Sequence, residues 1–281
     1  MEVLHTISDT RARVKEAKKA GKTVGFVPTM GALHAGHISL IEKCRAENDL
    51  VVCSIFVNPT QFDNPEDLKK YPRTLEADCA LLESASCDIV FAPSADEMYI
   101  HLPQMTLDFG NLEEVMEGRF RKGHFNGVGI VVSKLFHIVQ PDRAYFGMKD
   151  LQQVAVLNRL VKDLSFDVEL IPCPTKREAD GLAMSSRNTR LSPEARKQAP
   201  AVYQLLKNCQ DLLLSGKSTA EVQPFIQEYL KQRPEFSLEY LEIANFENLQ
   251  PIDKKMTEEG QTAICIAIFL DGVRLIDNIV F

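Results

Sequence analysis

The stretch TVGFVPTMGALHAGH, residues 23–37, decides the fold that the sequence predicts. Its first residues, Thr23–Val27, are mostly apolar and are typical of a buried strand. A loop with two glycines follows, and a helical pattern runs from about Gly36 to Asn48. The glycines have the G-x4-G spacing of a phosphate-binding P-loop, but His37 and Ile38 stand where that motif requires lysine and serine or threonine. The stretch therefore predicts a strand–loop–helix unit that is not a Walker motif.

The alternation of short apolar runs and helical patterns continues through the first half of the chain. Leu50–Val57 is a continuous apolar run, as expected of a parallel strand that is covered on both faces. Further strands are predicted at Asp88–Ala92, Arg143–Phe146 and Asp167–Pro172, and helices at Arg73–Ser86, Asn126–Val139 and Asp150–Leu164. Because such alternation builds right-handed βαβ units, we predict an α/β fold with a Rossmann-like, doubly wound parallel sheet.

The pattern changes after about Thr175, where strands no longer alternate with helices. The predicted elements are helices at Pro193–Leu214 and Thr219–Gln232, a strand at Ser237–Ala244 and two strands joined by a type I′ turn at Asp271-Gly272. Helices followed by hairpin strands are typical of a small α+β unit. We therefore predict two domains, residues 1–175 and a smaller C-terminal α+β lid domain, residues 176–281.

The charge and the cysteines exclude several classes of protein. The 281 residues include 32 basic and 39 acidic side chains, so the net charge is −7, which argues against a general binder of nucleic acids or membrane surfaces. No apolar run approaches the ~20 residues that span a bilayer, and Met1–His5 does not resemble a secretory signal. Seven cysteines without CxxC spacing predict reduced, mostly buried thiols in a cytoplasmic protein.

Two histidines, His34 and His37, stand where the predicted helix begins. The free N–H groups and the dipole of a helix N-terminus favour an anion, and both imidazoles would face it. Each can donate a proton or a hydrogen bond to charge that develops on a phosphoryl oxygen. A zinc pair is one alternative, although no third ligand stands at motif spacing, and two surface histidines without a role are another. An H-x-G-H turn after the first strand favours nucleotidyl transfer.

A second group of polar residues lies just past the predicted domain boundary. Met184–Asn188, the segment MSSRN, offers hydroxyls and a guanidinium that could wrap the far phosphates of a nucleotide from a mobile loop. Ser-Ser-Arg also occurs in many ordinary surface loops, so the segment alone is a weak signal. Paired with H-x-G-H, it resembles the two-signature arrangement of HIGH/MSK-type nucleotidyltransferases, which activate carboxylates as acyl adenylates.

Six sequence blocks stand in the order of one known family. They are PTMGALHAGH (28–37), FVNPTQF (56–62), YPR (71–73), HFNGV (124–128), FGMKDLQQ (146–153) and DGLAMSSRN (180–188). Together they resemble the pantoate–β-alanine ligase (pantothenate synthetase) family. The resemblance implies a two-step reaction, in which ATP and (R)-pantoate give pantoyl adenylate and pyrophosphate, and the β-alanine amine then displaces AMP to form pantothenate.

The resemblance also implies roles for individual residues. The implied ATP contacts are Met30, Gly31, Ala32, Leu33, His34, Ala35, Gly36, His37, Gly147, Met148, Lys149, Asp150, Lys176, Met184, Ser185, Ser186 and Arg187. The implied catalytic residues are His34, His37, Lys149, Ser185, Ser186 and Arg187, with His37 as the proton donor. Gln61 and Gln153 would bind pantoate, and Gln61 would also contact β-alanine. Asn58, Tyr71 and Arg121 are expected nearby.

The same resemblance implies the cofactors and partners. ATP is the nucleotide substrate, and Mg²⁺ is expected to bridge its phosphates, with no protein ligand assigned to the metal. The expected partners are small molecules and a second copy of the chain in a homodimer, without nucleic acid or membrane. The sequence departs from the family pattern at Lys122, where proline is common, and at Lys176, where a small apolar residue is common.

An acidic chain that binds two anionic substrates must concentrate its cations locally. The cations within or near the motif blocks are Arg119, Arg121, Lys122, Lys149, Lys176, Arg177, Arg187 and Arg190. We therefore predict a positive pocket in an acidic surface. Two other functions stay open: an H-x-G-H enzyme that adenylylates a phosphate substrate, and a catalytically silent nucleotide-binding regulator.

Overall fold

A computed structural model describes residues 1–281 and contains two sheets. The nine strands are β1 Glu2–Leu4, β2 Val24–Thr29, β3 Leu50–Ile55, β4 Ile89–Phe91, β5 Arg143–Gly147, β6 Glu169–Cys173, β7 Phe236–Asn245, β8 Thr262–Leu270 and β9 Val273–Val280. The helices are α1 Ile7–Lys19, α2 Ala35–Glu47, α3 Pro65–Lys70, α4 Leu75–Ser84, α5 Ala95–Met98, α6 Met116–Phe120, α7 His124–Val139, α8 Leu151–Asp163, α9 Pro193–Gln198, α10 Ala201–Leu214 and α11 Thr219–Lys231.

The larger sheet is parallel, and its strand order is β1-β4-β3-β2-β5-β6. Alternate residues of its strands face opposite sides: Phe26 packs with α7 and α8, whereas Val27 packs with α2. Both faces are therefore covered by helices, which explains why the strands read as continuous apolar runs. The predicted α/β class with a doubly wound parallel sheet is confirmed.

The chain reverses its direction of winding at β2, which lies between β3 and β5. Strand β2 pairs with β3 along its whole length, from Val24 to Thr29, but it pairs with β5 only at Gly25 and Phe26. The carboxyl-terminal halves of β2 and β5 therefore diverge. In open α/β sheets this switch point is where a crevice for ligands forms.

The smaller sheet is antiparallel, in the order β7-β8-β9. One face, which includes Ile264 and Ile266 of β8, packs on α10 and α11 in a separate apolar core. The other face, which includes Ala263 and Cys265, joins the apolar core of the larger sheet. The smaller sheet is thus packed against the helical layer of the larger one.

Most predicted elements are present, and two of the predictions in the C-terminal part have different outcomes. The predicted helix Pro193–Leu214 is wrong in one respect, because it is interrupted between α9 and α10. Pro200 has no N–H to donate to the preceding turn, so the first helix ends before it. The hairpin turn is confirmed, since Asp271 and Gly272 have φ values of 52° and 71°, as a type I′ turn requires.

The first strand and the first helix have no counterpart in the sequence prediction. Strand β1 has only three residues, and only Thr10 and Val14 of α1 are buried, so neither produces a strong apolar pattern. All seven cysteines are free thiols and six of them are buried, which confirms the expectation of reduced, mostly buried thiols. No helix has both the length and the apolar character needed to cross a bilayer.

Candidate active site

A cavity of about 240 Å³ opens at the carboxyl ends of β2 and β5. The N-terminus of α2 forms one side, and apolar side chains of α7, including Val128 and Leu135, form another. The segment that begins at Pro174 and the segment 184–187 reach over it from the C-terminal part of the chain. Residues from all six sequence blocks therefore meet in one place.

His34 and His37 form the polar wall at the start of α2. The Nδ1 atom of His34 accepts a hydrogen bond from the Gly36 N–H at 3.1 Å, and Nδ1 of His37 accepts one from the His34 N–H at 3.3 Å. The two rings lie with centroids 4.1 Å apart. In a neutral imidazole whose Nδ1 accepts, the proton resides on Nε2. Both histidines therefore hold an Nε2–H that is free to donate.

Both histidines are neutral at physiological pH. Burial, followed by the neighbouring His34, lowers the pKa of His37 to about 3. The pKa of His34 is also lowered, first by burial and then by the positive charge of Lys149. Neutral donors beside a helix N-terminus can stabilise charge on a phosphoryl oxygen through hydrogen bonds. His37 can therefore act as a hydrogen-bond donor in this arrangement, and its expected role as the proton donor stays a prediction.

The loop before α2 is held from behind by Asp78 of α4. Its carboxylate accepts the N–H of Ala32 at 3.0 Å and the N–H of Leu33 at 2.8 Å. These two amides point away from the cavity, and the Leu33 side chain is buried in the core beneath α2. The cavity surface includes Met30, His34, Gly36 and His37, but not Gly31, Ala32, Leu33 or Ala35. Those four residues therefore do not line the cavity, and their expected contacts with ATP stay a prediction.

Gln61 lines the cavity in an orientation that Asn58 fixes. The buried Asn58 donates its Nδ2–H to Gln61 Oε1 at 3.0 Å and to the Gly127 carbonyl oxygen at 3.2 Å. The oxygen of Gln61 is thus occupied, and its Nε2 donates one hydrogen to Sδ of Met30 at 3.2 Å, which leaves the other N–H for the cavity. A Cβ atom on Gly127 would lie 2.3 Å from the Thr60 carbonyl oxygen, so only glycine allows α7 to approach this turn.

The segment after β5 divides its side chains between the cavity and the core. Gly147, Lys149, Asp150 and Gln153 line the cavity, as expected. Met148 does not, because its side chain packs on the apolar core. The expected contact of Met148 with ATP stays a prediction, and from this position its backbone rather than its side chain would have to make it. Lys149 lies 3.7 Å from Asp150, in an ion pair that brings a cation and a carboxylate to the same edge.

The segment 184–187 reaches the cavity from the far side. Met184, Ser185, Ser186 and Arg187 all line it, together with Lys176 and Tyr71. Arg187 forms an ion pair with Asp67 of α3 at 3.2 Å, which ties this segment to the larger sheet's side of the cavity. A Cβ on Gly36 would lie 3.5 Å from Cβ of Met184, so the two signature motifs are in contact distance.

The charges in the cavity wall are predominantly positive. Of the eight cations named from the sequence, Arg121, Lys149, Lys176 and Arg187 line the cavity. The others, Arg119, Lys122, Arg177 and Arg190, do not. Asp150 is the one carboxylate in the wall, so the predicted positive pocket is confirmed with half of the predicted cations.

No group of three or more histidine, cysteine, aspartate or glutamate side chains could hold a metal ion. The two histidines are therefore not part of a zinc site, because such a site needs at least three protein ligands. Magnesium is a different case, since it keeps several waters and binds mainly through substrate phosphates and one or two carboxylates. Asp150, beside the histidine pair, fits that smaller requirement.

A buried polar chain behind Gln61 connects Arg121 and His124, which the sequence placed near the site, with Glu117, which it did not. His124 donates from Nδ1 to the Gln61 carbonyl oxygen at 2.9 Å, and its Nε2 lies 3.1 Å from Nη1 of Arg121. Arg121 in turn lies 3.4 Å from Glu117. Glu117 lies outside the recognisable blocks and stands in an ordinary short helix, so no sequence signal marked it.

Comparison with known proteins agrees with this geometry. The profile of the family described as Pantoate-beta-alanine ligase matches residues 2–280. The pantothenate synthetase of Cytophaga hutchinsonii is 49% identical over 98% of this chain and 97% of its own length, and that of Phocaeicola vulgatus is 49% identical over 99% of each.

Solved structures give the same result. The pantothenate synthetase of Thermus thermophilus superposes with a TM-score of 0.92 at 45% identity and covers 99% of both chains. The pantoate-beta-alanine ligase of Francisella tularensis, complexed with beta-gamma ATP and beta-alanine, superposes with a TM-score of 0.83 at 36% identity, over 100% of this chain and 97% of that one. The chain therefore belongs to the pantoate–β-alanine ligase family and is an AMP-forming ligase that joins pantoate to β-alanine.

Proposed function

We propose that the cavity between β2 and β5 carries out both steps of this ligation. Pantoate attacks the α-phosphorus of ATP to form pantoyl adenylate and pyrophosphate, and β-alanine then displaces AMP. The observation that carries the proposal is the meeting of the neutral His34–His37 pair, the amide of Gln61 and the segment 184–187 around one cavity. A relative's complex with beta-gamma ATP and beta-alanine supports the same two ligands here.

In the first step, the N-terminus of α2 would hold the ATP phosphates. The Nε2–H groups of His34 and His37 would donate to phosphate oxygens as negative charge develops on them. Lys149 would offset charge at the α-phosphate, and Ser185, Ser186 and Arg187 would take the pyrophosphate side. The remaining nucleotide contacts would come from Gly36, Met184, Gly147 and the backbone at Lys176.

Pantoate would lie between Gln61 and Gln153. Both side chains are uncharged, so they can orient the hydroxyls and the carboxylate without forming an ion pair with the nucleophile. A full ion pair would lower the reactivity of that carboxylate. Gln152, next in the chain, is not available, because its amide is committed to the backbone of Leu112, Val115 and Glu117.

The C-terminal residues 176–281 would act as a lid domain that carries the segment 184–187 onto ATP. A closed lid excludes water, which would otherwise hydrolyse the mixed anhydride. The buried ion pair of Arg177 with Asp277, at 2.6 Å, supports this division because it fixes the first residues of the lid to its own last strand.

Magnesium fits the cavity as a partner of ATP. Asp150 is the carboxylate that would hold it, with the remaining positions left to phosphate oxygens and water. When bound, the ion would neutralise phosphate charge and favour departure of pyrophosphate. We also propose that the protein is a cytoplasmic homodimer, which sedimentation of the purified chain would test for the assembly.

The competing function, adenylylation of a phosphate substrate, is disfavoured by the two neutral glutamines, since a phosphate dianion would call for cations at their positions. One assay separates the possibilities: pantoate-dependent exchange of labelled pyrophosphate into ATP, with and without β-alanine. Exchange with pantoate alone, and formation of AMP and amide on adding β-alanine, is the expected result. Folded protein that shows no pantoate-dependent exchange would refute the proposal.

A further inference from the structure

Arg121 is a cation of the cavity wall that none of the roles above uses. It follows α6, is partly buried with its side chain 22% exposed, and lines the cavity on the same side as Gln61 and His124. The hydrogen bonds of its side chain to the protein are made through Nη1 alone. Neither Nε nor Nη2 has a protein hydrogen-bond partner, so the guanidinium has donors left for a ligand.

His124 orients this guanidinium without opposing its charge. The Gln61 carbonyl can only accept, so the contact at 2.9 Å places the imidazole proton on Nδ1 and leaves Nε2 as an acceptor for Arg121. Burial and the positive charge of Arg121 lower the pKa of His124 to about 4. A neutral His124 therefore couples Arg121 to the backbone of Gln61.

Glu117 reaches Arg121 through one contact only, because Arg274 takes most of its hydrogen-bonding capacity. Its carboxylate is engaged by Arg274 at 2.6 and 2.9 Å and by the Tyr240 hydroxyl at 2.8 Å. The contact with Arg121 is longer, at 3.4 Å. Glu117 thus fixes the position of Arg121, while Arg274 takes the shorter ion-pair contacts.

The ligands of the proposed reaction carry three kinds of anion. The phosphates belong to the histidine side, where Lys149 also lies, since its charge acts on the pKa of both His34 and His37. Arg187 is tied to Asp67 on the segment opposite. The pantoate carboxylate is the nucleophile and gains nothing from an arginine. The carboxylate of β-alanine remains, and it is remote from the amine that reacts.

We propose that Arg121 binds the carboxylate of β-alanine and so selects an amine that bears an acid group, with His124 as the positioning residue. This inference rests on the proposed function. A guanidinium can hold a carboxylate through two parallel N–H donors, and its unused Nε and Nη2 provide them. The amine would then extend from this anchor toward the acyl carbon of the adenylate beside Gln61.

The role of Arg121 can be tested by measuring the two half-reactions separately, because only the second one uses β-alanine. In Arg121→Gln, pantoate-dependent pyrophosphate exchange should stay within about threefold of the unmodified protein, because β-alanine is not needed for it. The kcat/KM for β-alanine should fall roughly 10- to 100-fold, as expected when one charge-assisted contact is lost. Propylamine, which matches β-alanine without the carboxylate, should be used equally well by both proteins. Arg121→Lys should recover part of the preference for β-alanine.

Lys122→Gln is the matched control, since Lys122 is the exposed neighbour and does not line the cavity. An unchanged kcat/KM for β-alanine in Arg121→Gln would overturn the proposal. So would a loss of pantoate-dependent exchange at an unchanged thermal midpoint, which would assign Arg121 to pantoate or ATP. If Arg121→Gln lowers the thermal midpoint, the same two half-reactions are measured with Arg121→Lys instead. Absence of exchange in the unmodified protein would instead refute the proposed function.

Discussion

Two buried polar regions of this molecule use the same residue types in opposite ways. One is the active-site cavity, where four cations face one carboxylate. The other is a group of paired side chains on and around the smaller sheet, which we call the seam. The seam consists of Glu117, Arg177, Glu239, Tyr240, Arg274 and Asp277. Each of its arginines is paired with carboxylates of the chain itself.

The two regions differ in whether their polar groups find all of their partners within the protein. Within the seam, hydrogen bonds and charge from Arg274 outweigh burial and lower the pKa of Glu117 to about 2. In the cavity, the Nε2–H donors of His34 and His37 and the Nε and Nη2 donors of Arg121 have no partner in the protein. A buried charge paired within the protein holds structure, whereas a desolvated group without a protein partner is available for chemistry.

The largest effect is expected from His37→Ala, in the cavity. The variant should slow pantoyl adenylate formation by roughly 10²–10⁴, because it removes a donor to the developing phosphoryl charge. Its thermal midpoint should change little. Rapid-quench measurement of adenylate, with His101→Ala in an exposed loop as the control, checks this. An unchanged rate of adenylate formation would show that His37 does not stabilise the phosphoryl charge, and the contrast between cavity and seam would not hold.

For Arg177→Met, in the seam, the main effect is expected on stability rather than on adenylate formation. It should lower the free energy of unfolding by about 3–5 kcal/mol, because the nearly inaccessible carboxylate of Asp277 loses its partner. Denaturant unfolding measures this. The matched control is the double variant Arg177→Met/Asp277→Leu, which removes both charges and should be more stable than the single one. A double variant no better than the single one would show that the pairing is not the cause.

Asp78→Asn tests how the cavity depends on a paired group behind it. Asparagine can accept only one of the two backbone N–H bonds, so the free energy of unfolding should fall by about 1–3 kcal/mol. The KM for ATP should rise, since the loop before α2 would loosen. Glu76→Gln, an exposed change on the same helix, should alter neither quantity. An unaltered KM for ATP would show that the loop before α2 does not affect nucleotide binding.

The smallest effect is the pH dependence of stability. The pKa values of His37 and His124 are depressed in the folded protein to about 3 and about 4, so the unfolded chain binds more protons. Their contribution is fully present above about pH 6.5 and is lost as pH falls toward the folded values. Between about pH 6.5 and about pH 5 each should cost about 1–2 kcal/mol. His124→Gln should flatten the slope of unfolding free energy against pH, whereas His101→Gln should leave it unchanged.

The sequence predicts the frame of the site because β2, its loop and α2 are continuous in the chain. The pair His34 and His37 needs only local geometry to share one helix N-terminus. Gln61 and Gln153 could be placed from the resemblance, since the carboxyl edge of a parallel sheet gathers the ends of its strands. Those residues all line the cavity.

The rest depends on contacts that are distant in sequence. Asp78 holds Ala32 and Leu33 from another helix, so nothing in the loop itself shows that those amides are occupied. Met148 lies inside a matching block, yet packing turns its side chain into the core. Arg177 stands beside the cations of the pocket in the sequence, but its partner Asp277 lies 100 residues later.

The pairing of Arg177 with β9 has a consequence for how the protein is made. Asp277 and Asn278 hold the Arg177 guanidinium, and Asn278 also donates to the carbonyl oxygens of Met148 and Lys149. Arg177 and the backbone of Lys149 are thus both fastened by β9, whose Asp277 the ribosome adds 100 residues after Arg177. A nascent chain can form its parallel sheet early, but it cannot assemble the ATP end of the cavity until β9 has emerged.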